Sequence, residues 1–139
     1  MVQLIVGKKG KGKTKCLLDK VNEEVKNILG NVVFLDKNAK HMYELNNRIR
    51  LIVVPEFGIE SADAFVGFVA GIISQDHDLQ QMYFDSFLKL ACLEDQDIVD
   101  AVERLEKLSE TYKIDMFLSV STDKQDLPES LKDKVIISL

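Results

Sequence analysis

Six short apolar runs, each rich in β-branched or aromatic residues, punctuate the 139-residue chain. They are VQLIV (2–6), NVVFLD (31–36), IRLIVV (49–54), QQMYFD (80–85), IDMFLSVS (114–121) and KVIISL (134–139), with helical periodicity or turn residues between them. Strands that are apolar on both faces must be covered on both faces, and strands that alternate with helices join in parallel. The expectation is an α/β fold of three layers, α/β/α, around a mostly parallel six-stranded sheet, in a single domain over residues 1–139.

Between the runs the helical signals are specific. Leu17, Val21, Val25 and Ile28 recur on one side of the first helix, which Gly30 is expected to end as a left-handed residue. Ser61 stands as the N-cap of an apolar helix in which Gly67 and Gly71 would admit a close neighbour. Over 97–112, Ile98, Val102, Leu105, Leu108 and Tyr112 form one face, and Asp95, Asp97 and Asp100 at the start with Lys113 at the end suit the helix dipole.

Composition narrows the function. Hydrophobic residues make up 46% and charged residues 29%, enough for a packed core. A net charge of -5 argues against a general nucleic-acid or anionic-membrane surface. The apolar stretch 62–73 carries Asp63 and falls short of the roughly 20 residues a membrane span needs, so no membrane insertion is expected. Cys16 and Cys92 lack metal or disulfide spacing, and residues 2–6 are too short for a signal-peptide core, which together predict a cytoplasmic protein. His41 and His77 have no ligand at metal-binding spacing.

Against that acidic background Gly7-Lys8-Lys9-Gly10-Lys11-Gly12-Lys13-Thr14 stands out, because it matches G-x-x-x-x-G-K-[ST] between a strand and a helix. Glycines let the backbone curl until successive N–H groups converge on an anion, and the following helix adds the positive end of its dipole. Lys13 can reach the β and γ phosphates of a nucleotide, and the Thr14 hydroxyl can ligate Mg²⁺. The candidate binding set is Gly7, Lys8, Lys9, Gly10, Lys11, Gly12, Lys13, Thr14 and Lys15; Lys8, Lys9 and Lys11 read mainly as solvated lysines that raise the local potential. A metal-side carboxylate should end a nearby parallel strand. Asp36 and Asp85 both end apolar runs, and spacing favours Asp85.

In the order of these pieces the chain resembles the RecA-like branch of the P-loop NTPases over nearly its whole length. LIVGKKGKGKTKCLL resembles the phosphate loop and first helix, and VVFLDKNAKHMYEL the second strand with its acidic end. IRLIVVPEFGIESADAF is similar to the third strand and the helix after it, MYFDSFLKL to the metal-binding strand, and MFLSVSTD to the strand whose polar end senses the γ-phosphate. The whole chain is also similar to a group of small bacterial P-loop proteins that are ATPase-like. The resemblance implies the strand order 3-2-4-5-1-6, ATP and Mg²⁺ as cofactors, Thr14 and Asp85 at the metal, and Ser119, Ser121 or Thr122 near the γ-phosphate.

Where the RecA-like pattern places a catalytic glutamate after the second strand, this chain has Asn38, which cannot accept a proton. Asp36 or Glu56 would have to substitute, so the catalytic candidates are Lys13, Asp36 and Glu56. After Asp85 the stretch SFLKLACLEDQD is acidic where contacts to a DNA backbone would need Lys and Arg, so no nucleic-acid partner is expected. Arg104 reads as a surface residue, whereas Arg48 and Arg50 flank the third strand and could serve a neighbouring subunit, which is compatible with a homo-oligomer or another protein partner. The expectation is therefore an ATP-binding protein with slow Mg²⁺-dependent hydrolysis. An alternative is a nucleotide-gated interaction module that does not hydrolyse, and a third is a GTPase, suggested by Lys124 and Asp126 in STDKQDL. Against the third, no D-x-x-G glycine follows Asp36 or Asp85.

Overall fold

The computed structural model describes all residues 1–139. Strands β1 (Val2–Val6), β2 (Asn31–Asp36), β3 (Ile49–Val53), β4 (Leu79–Phe84), β5 (Asp115–Val120) and β6 (Val135–Ser138) form one sheet. Its order is β3-β2-β4-β5-β1-β6, the order the family resemblance implies, and every pairing is parallel, as the alternation of elements predicts. Helices α1 (Lys13–Glu24), α2 (Ala62–Ser74), α3 (Phe87–Leu90) and α4 (Val99–Tyr112) connect the strands together with short 3-10 turns. No helix is long and apolar enough to cross a membrane.

Strand alternation divides the interior into two cores. Leu4, Val6, Met82, Phe84, Met116 and Leu118 point into the larger one, where they meet Phe65 and Val69 of α2 and Val102 and Leu105 of α4. Ile5, Phe34, Tyr83 and Phe117 point the other way, into the smaller core closed by Leu17 and Val21 of α1. Each such side chain contributes about 1.5–3 kcal/mol when fully buried.

The smaller core holds a ladder of aromatic rings across three adjacent strands. Phe34 stacks on Tyr83 with centroids 6.4 Å apart, and Tyr83 on Phe117 at 4.7 Å. The Tyr83 hydroxyl donates to Gln81 Oε1 at 2.7 Å, and burial holds its pKa far above the usual phenol range. Lys20 of α1 lays its ammonium over the Phe117 ring, 4.8 Å from the centroid. With a side-chain period of two, the next residues on that face along β2, β4 and β5 are Asp36, Asp85 and Ser119. The aromatic ladder thus sets a polar ladder at the carboxyl edge of the sheet.

Several local expectations change. Helix α1 tightens into a 3-10 turn at Val25–Asn27 and Ile28 is already extended, so Gly30 does not end the helix. A Cβ at Gly30 would lie 2.2 Å from the Asp78 carbonyl oxygen; close approach of the neighbouring loop, and not a helix cap, requires glycine there. Arg48 supplies the cap, donating through Nη1 to Val25 O and through Nη2 to Ile28 O, each at 2.7 Å. Ser61 does cap α2, accepting from the Ala64 N–H at 3.1 Å. Gly67 and Gly71 face open space and admit no neighbour. Tyr112, expected on the buried face of α4, is 57% exposed, while Ser109 is buried and donates to Ile114 O at 2.6 Å. Lys113, in the left-handed region, turns the chain into β5.

Candidate functional site

Immediately after β1 the chain curls. Gly10 and Gly12 have φ of 84° and 98°, a region that side chains with a Cβ rarely occupy. Gly12 opens α1 without a side-chain cap and the first turn holds no acidic residue, so its amide hydrogens carry no local carboxylate partner. Lys13 follows. Its side chain is drawn back over the loop, where its ammonium donates to the Lys8 carbonyl at 3.0 Å, and the residue is only 7% exposed. Burial lowers the Lys13 pKa from its ordinary value, with the charge of Asp85 opposing that shift. An ammonium with three N–H donors and this one protein acceptor is suited to an incoming anion.

Asp85 follows β4 and is 1% exposed. The Thr14 hydroxyl donates to it, 3.1 Å from each carboxylate oxygen. Ser119 of β5 donates to Asp85 Oδ1 at 2.9 Å and accepts from the Ser86 N–H at 2.8 Å. Ser86 adopts φ of 56°, an uncommon conformation for a serine, and this directs its N–H back to Ser119. Lys37, just beyond β2, donates to Ser86 Oγ at 2.9 Å. Residues from four segments distant in sequence are thereby fixed around one carboxylate.

These groups open on a single cavity of about 560 Å³. The loop contributes Lys9, Gly10, Gly12, Lys13 and Thr14, and the strand ends contribute Lys37, Asp85, Ser86, Ser119 and Ser121. Beyond them the segment around α3 adds Leu88, Lys89, Glu94 and Asp95. Of the sequence-selected residues, Lys9, Gly10, Gly12, Lys13, Thr14, Asp85, Ser119 and Ser121 are brought together around it.

Other candidates lie apart from the cavity lining. Gly7 is buried against the last residue, where a Cβ would come within 3.0 Å of Leu139 Cβ. Lys8 pairs with Asp123 at 3.4 Å, Lys15 with Asp19 at 3.0 Å, and Lys11 is exposed. Asp36 is 1% exposed. Its Oδ1 accepts from the Lys37 N–H at 2.7 Å while Oδ2 has no partner, and burial, reinforced by the nearby Asp85, raises its pKa. Glu56 is exposed on the 3-10 turn after β3, the edge strand four places from β1, a lateral separation of roughly 19 Å. Asn38 is exposed and accepts from the Lys40 N–H at 2.9 Å.

Arg48 caps α1, Arg104 donates to Asp63 at 2.7 Å, and Arg50 is exposed on β3, so none of the three arginines lines the cavity. Lys124 and Asp126, the pair needed for a guanine-reading pattern, line different hollows. Thr122 also lines a separate hollow. Cys16 and Cys92 are free and half-buried, His77 is exposed, and His41 sits beside Glu44. No group of three or more His, Cys, Asp or Glu side chains could hold a metal ion.

Ser86 belongs to the Asp-Ser pair by which MYFDSFLKL resembles the metal-binding strand, whereas Lys37 is not among the residues the sequence singles out. The signal for Lys37 was its place directly after a strand-end aspartate.

No protein-family model matches the chain, and no curated protein matches it. Among solved structures, the flagellar accessory protein FlaH from Methanocaldococcus jannaschii is similar in fold, with a TM-score of 0.57 and 13% sequence identity. The match covers 93% of this chain and 63% of that one, so this chain spans less than two-thirds of the length of FlaH. At that identity the likeness concerns the backbone alone: a RecA-like α/β core with a parallel sheet in the order 3-2-4-5-1-6.

Proposed function

We propose that this protein binds a nucleoside triphosphate, with ATP as the reference ligand, through the loop 7–14, and hydrolyses it slowly with Mg²⁺. The observation that carries this reading is the convergence, in one cavity, of the buried Lys13 ammonium, the uncapped start of α1 and the Thr14–Asp85–Ser119 network. Such a loop suits phosphate oxygens because its donors are preorganised and little reorganisation remains when the anion arrives. Oxygen donors alone at Thr14 and Asp85 fit Mg²⁺, which is commonly held by one or two protein groups plus substrate phosphates. When bound there, Mg²⁺ would supply Lewis acidity and charge neutralisation at the phosphates. Lys13 would hold the tail, and Ser119 would keep Asp85 oriented.

Slow turnover is the expected rate class. Asp36 and Glu56 are absent from the cavity lining, and so is every arginine that could neutralise transition-state charge. Beyond Asp85, the carboxylates at the cavity are Glu94 and Asp95, neither of which follows the strand that carries the base in the RecA-like pattern. The same observation favours a second reading, in which the triphosphate is bound as a switch without turnover. Phosphate release by the wild type, Lys13→Ala and Asp85→Ala in Mg²⁺ and ATP separates the two. Wild-type release above both variants supports hydrolysis; release equal to theirs with ATP still bound assigns the switch. Absence of ATP binding contradicts both.

A further inference from the structure

A hollow of about 360 Å³ adjoins the cavity beside the loop and shares Leu88, Asp95 and Ser121 with it. It lies between the segment that joins α3 to α4 and the segment that follows β5. Space of this size holds a small molecule.

The two compartments have opposite linings. The cavity presents four lysines, Lys9, Lys13, Lys37 and Lys89, and a single hydrophobic side chain, Leu88. The hollow has an aliphatic wall of Leu88, Leu93, Ile98, Val120 and Leu127, and no lysine, arginine, histidine or aromatic residue. Its charged groups are Asp95, Asp97 and Asp126, all exposed and none in an ion pair. One Asp97 oxygen accepts from the Val99 N–H at 3.1 Å. Aliphatic carbon laid on that wall leaves water, and a positive head group meets carboxylates, whereas an anion would meet only like charge. A planar base finds no ring to stack on. The strand that ends in the hollow, β5, is paired on both sides, with β4 and β1, so no free strand edge is offered to a peptide backbone.

We propose that this hollow binds a free, small aliphatic ammonium compound, and that its occupancy and triphosphate binding in the adjoining cavity reinforce each other. The wall of Leu88, Asp95 and Ser121 is common to both compartments, so the cation lies next to the space that would hold the anionic tail. Assignment of the hollow stands on its own lining, and the coupling rests on the triphosphate-binding reading.

Amide NMR of the full chain, titrated with methylamine, propylamine and pentylamine hydrochlorides at constant ionic strength and neutral pH, tests the assignment. Shifts should concentrate in residues 88–98 and 120–128, and affinity should rise roughly threefold to fourfold per methylene. In the folded double variant Asp95→Asn, Asp126→Asn, pentylamine should bind roughly tenfold more weakly, with 1-pentanol unaffected. Mg²⁺-ATP and Mg²⁺-tripolyphosphate should each tighten pentylamine by roughly fivefold, and pentylamine should tighten them by the same factor. Scattered shifts, no dependence on chain length, or pentanoate binding as well as pentylamine overturns the assignment. N-acetyl-lysine N-methylamide binding roughly tenfold more tightly than pentylamine would give the hollow to a partner's side chain and overturn the free ligand. Displacement of the amine by ATP but not by tripolyphosphate would put the base there and overturn the proposal. If both triphosphates bind without changing amine affinity, the coupling fails; if the amine binds and no triphosphate does, the underlying reading fails and the hollow's assignment stands.

Discussion

Asp36 and Asp85 end neighbouring parallel strands, point to the same face of the sheet and are each 1% exposed, yet their surroundings differ. Asp85 is enclosed by donors: the Thr14 hydroxyl reaches both of its oxygens and Ser119 reaches one. Asp36 has the Lys37 N–H on one oxygen and nothing on the other. The loop between β1 and α1 explains the contrast. After β1 it bends over β5 toward the end of β4, bringing Thr14 to Asp85, while β2 lies one strand further away. Two aspartates with the same sequence signature therefore acquire different chemistry from their distance to a single loop.

Asp85→Ala is expected to weaken Mg²⁺-ATP binding by roughly a hundredfold and to remove its dependence on Mg²⁺. Asp36→Ala should change it less than threefold. Titrations with and without Mg²⁺ measure both, and equal losses would erase the distinction.

Ser119→Ala sharpens it further, because one hydroxyl serves both Asp85 and the Ser86 N–H. Its removal leaves buried polar groups short of a partner and should cost about 1–3 kcal/mol, read from the denaturant midpoint.

The smallest effect belongs to the orphaned oxygen. Because the Asp36 pKa is raised on folding, the native state holds its proton more tightly than the unfolded chain does. Its contribution is fully present below the ordinary carboxylate value of 3.8 and is lost as pH rises through the folded value. Asp36→Asn should therefore be more stable than wild type at pH 7.5 and no more stable at pH 3.5. Stability curves at the two pH values check it, and a variant less stable at pH 7.5 would show that the charged form is favoured in the fold.

Much of the fold was legible because parallel strands are local signals: each run of β-branched residues lies within one residue of an observed strand at either end. The order of the sheet was implied by the resemblance in element order, and the curl of the glycine-rich loop between β1 and α1 by its own spacing. What the sequence hid depends on tertiary neighbours. Arg48 looks like a solvated strand-flanking residue until the end of α1 is brought beside it. Gly30 resembles a helix end, but its requirement comes from the Asp78 backbone 48 residues away. Lys37 enters the site only because β2 and β4 are adjacent, a pairing that its place after the strand-end Asp36 does not by itself reveal. Glu56 reads as a candidate base from its position after a strand, but that strand is the sheet's edge.

In the proposed function the backbone from residue 7 to 14, with the Lys13 ammonium, holds the triphosphate tail. The most direct test is calorimetry of Mg²⁺-ATP with the wild type and with folded Lys13→Ala. The account predicts saturable binding by the wild type and at least a roughly hundredfold loss in the variant; equal affinity in the two proteins, or no binding by the wild type at millimolar ATP, would contradict it.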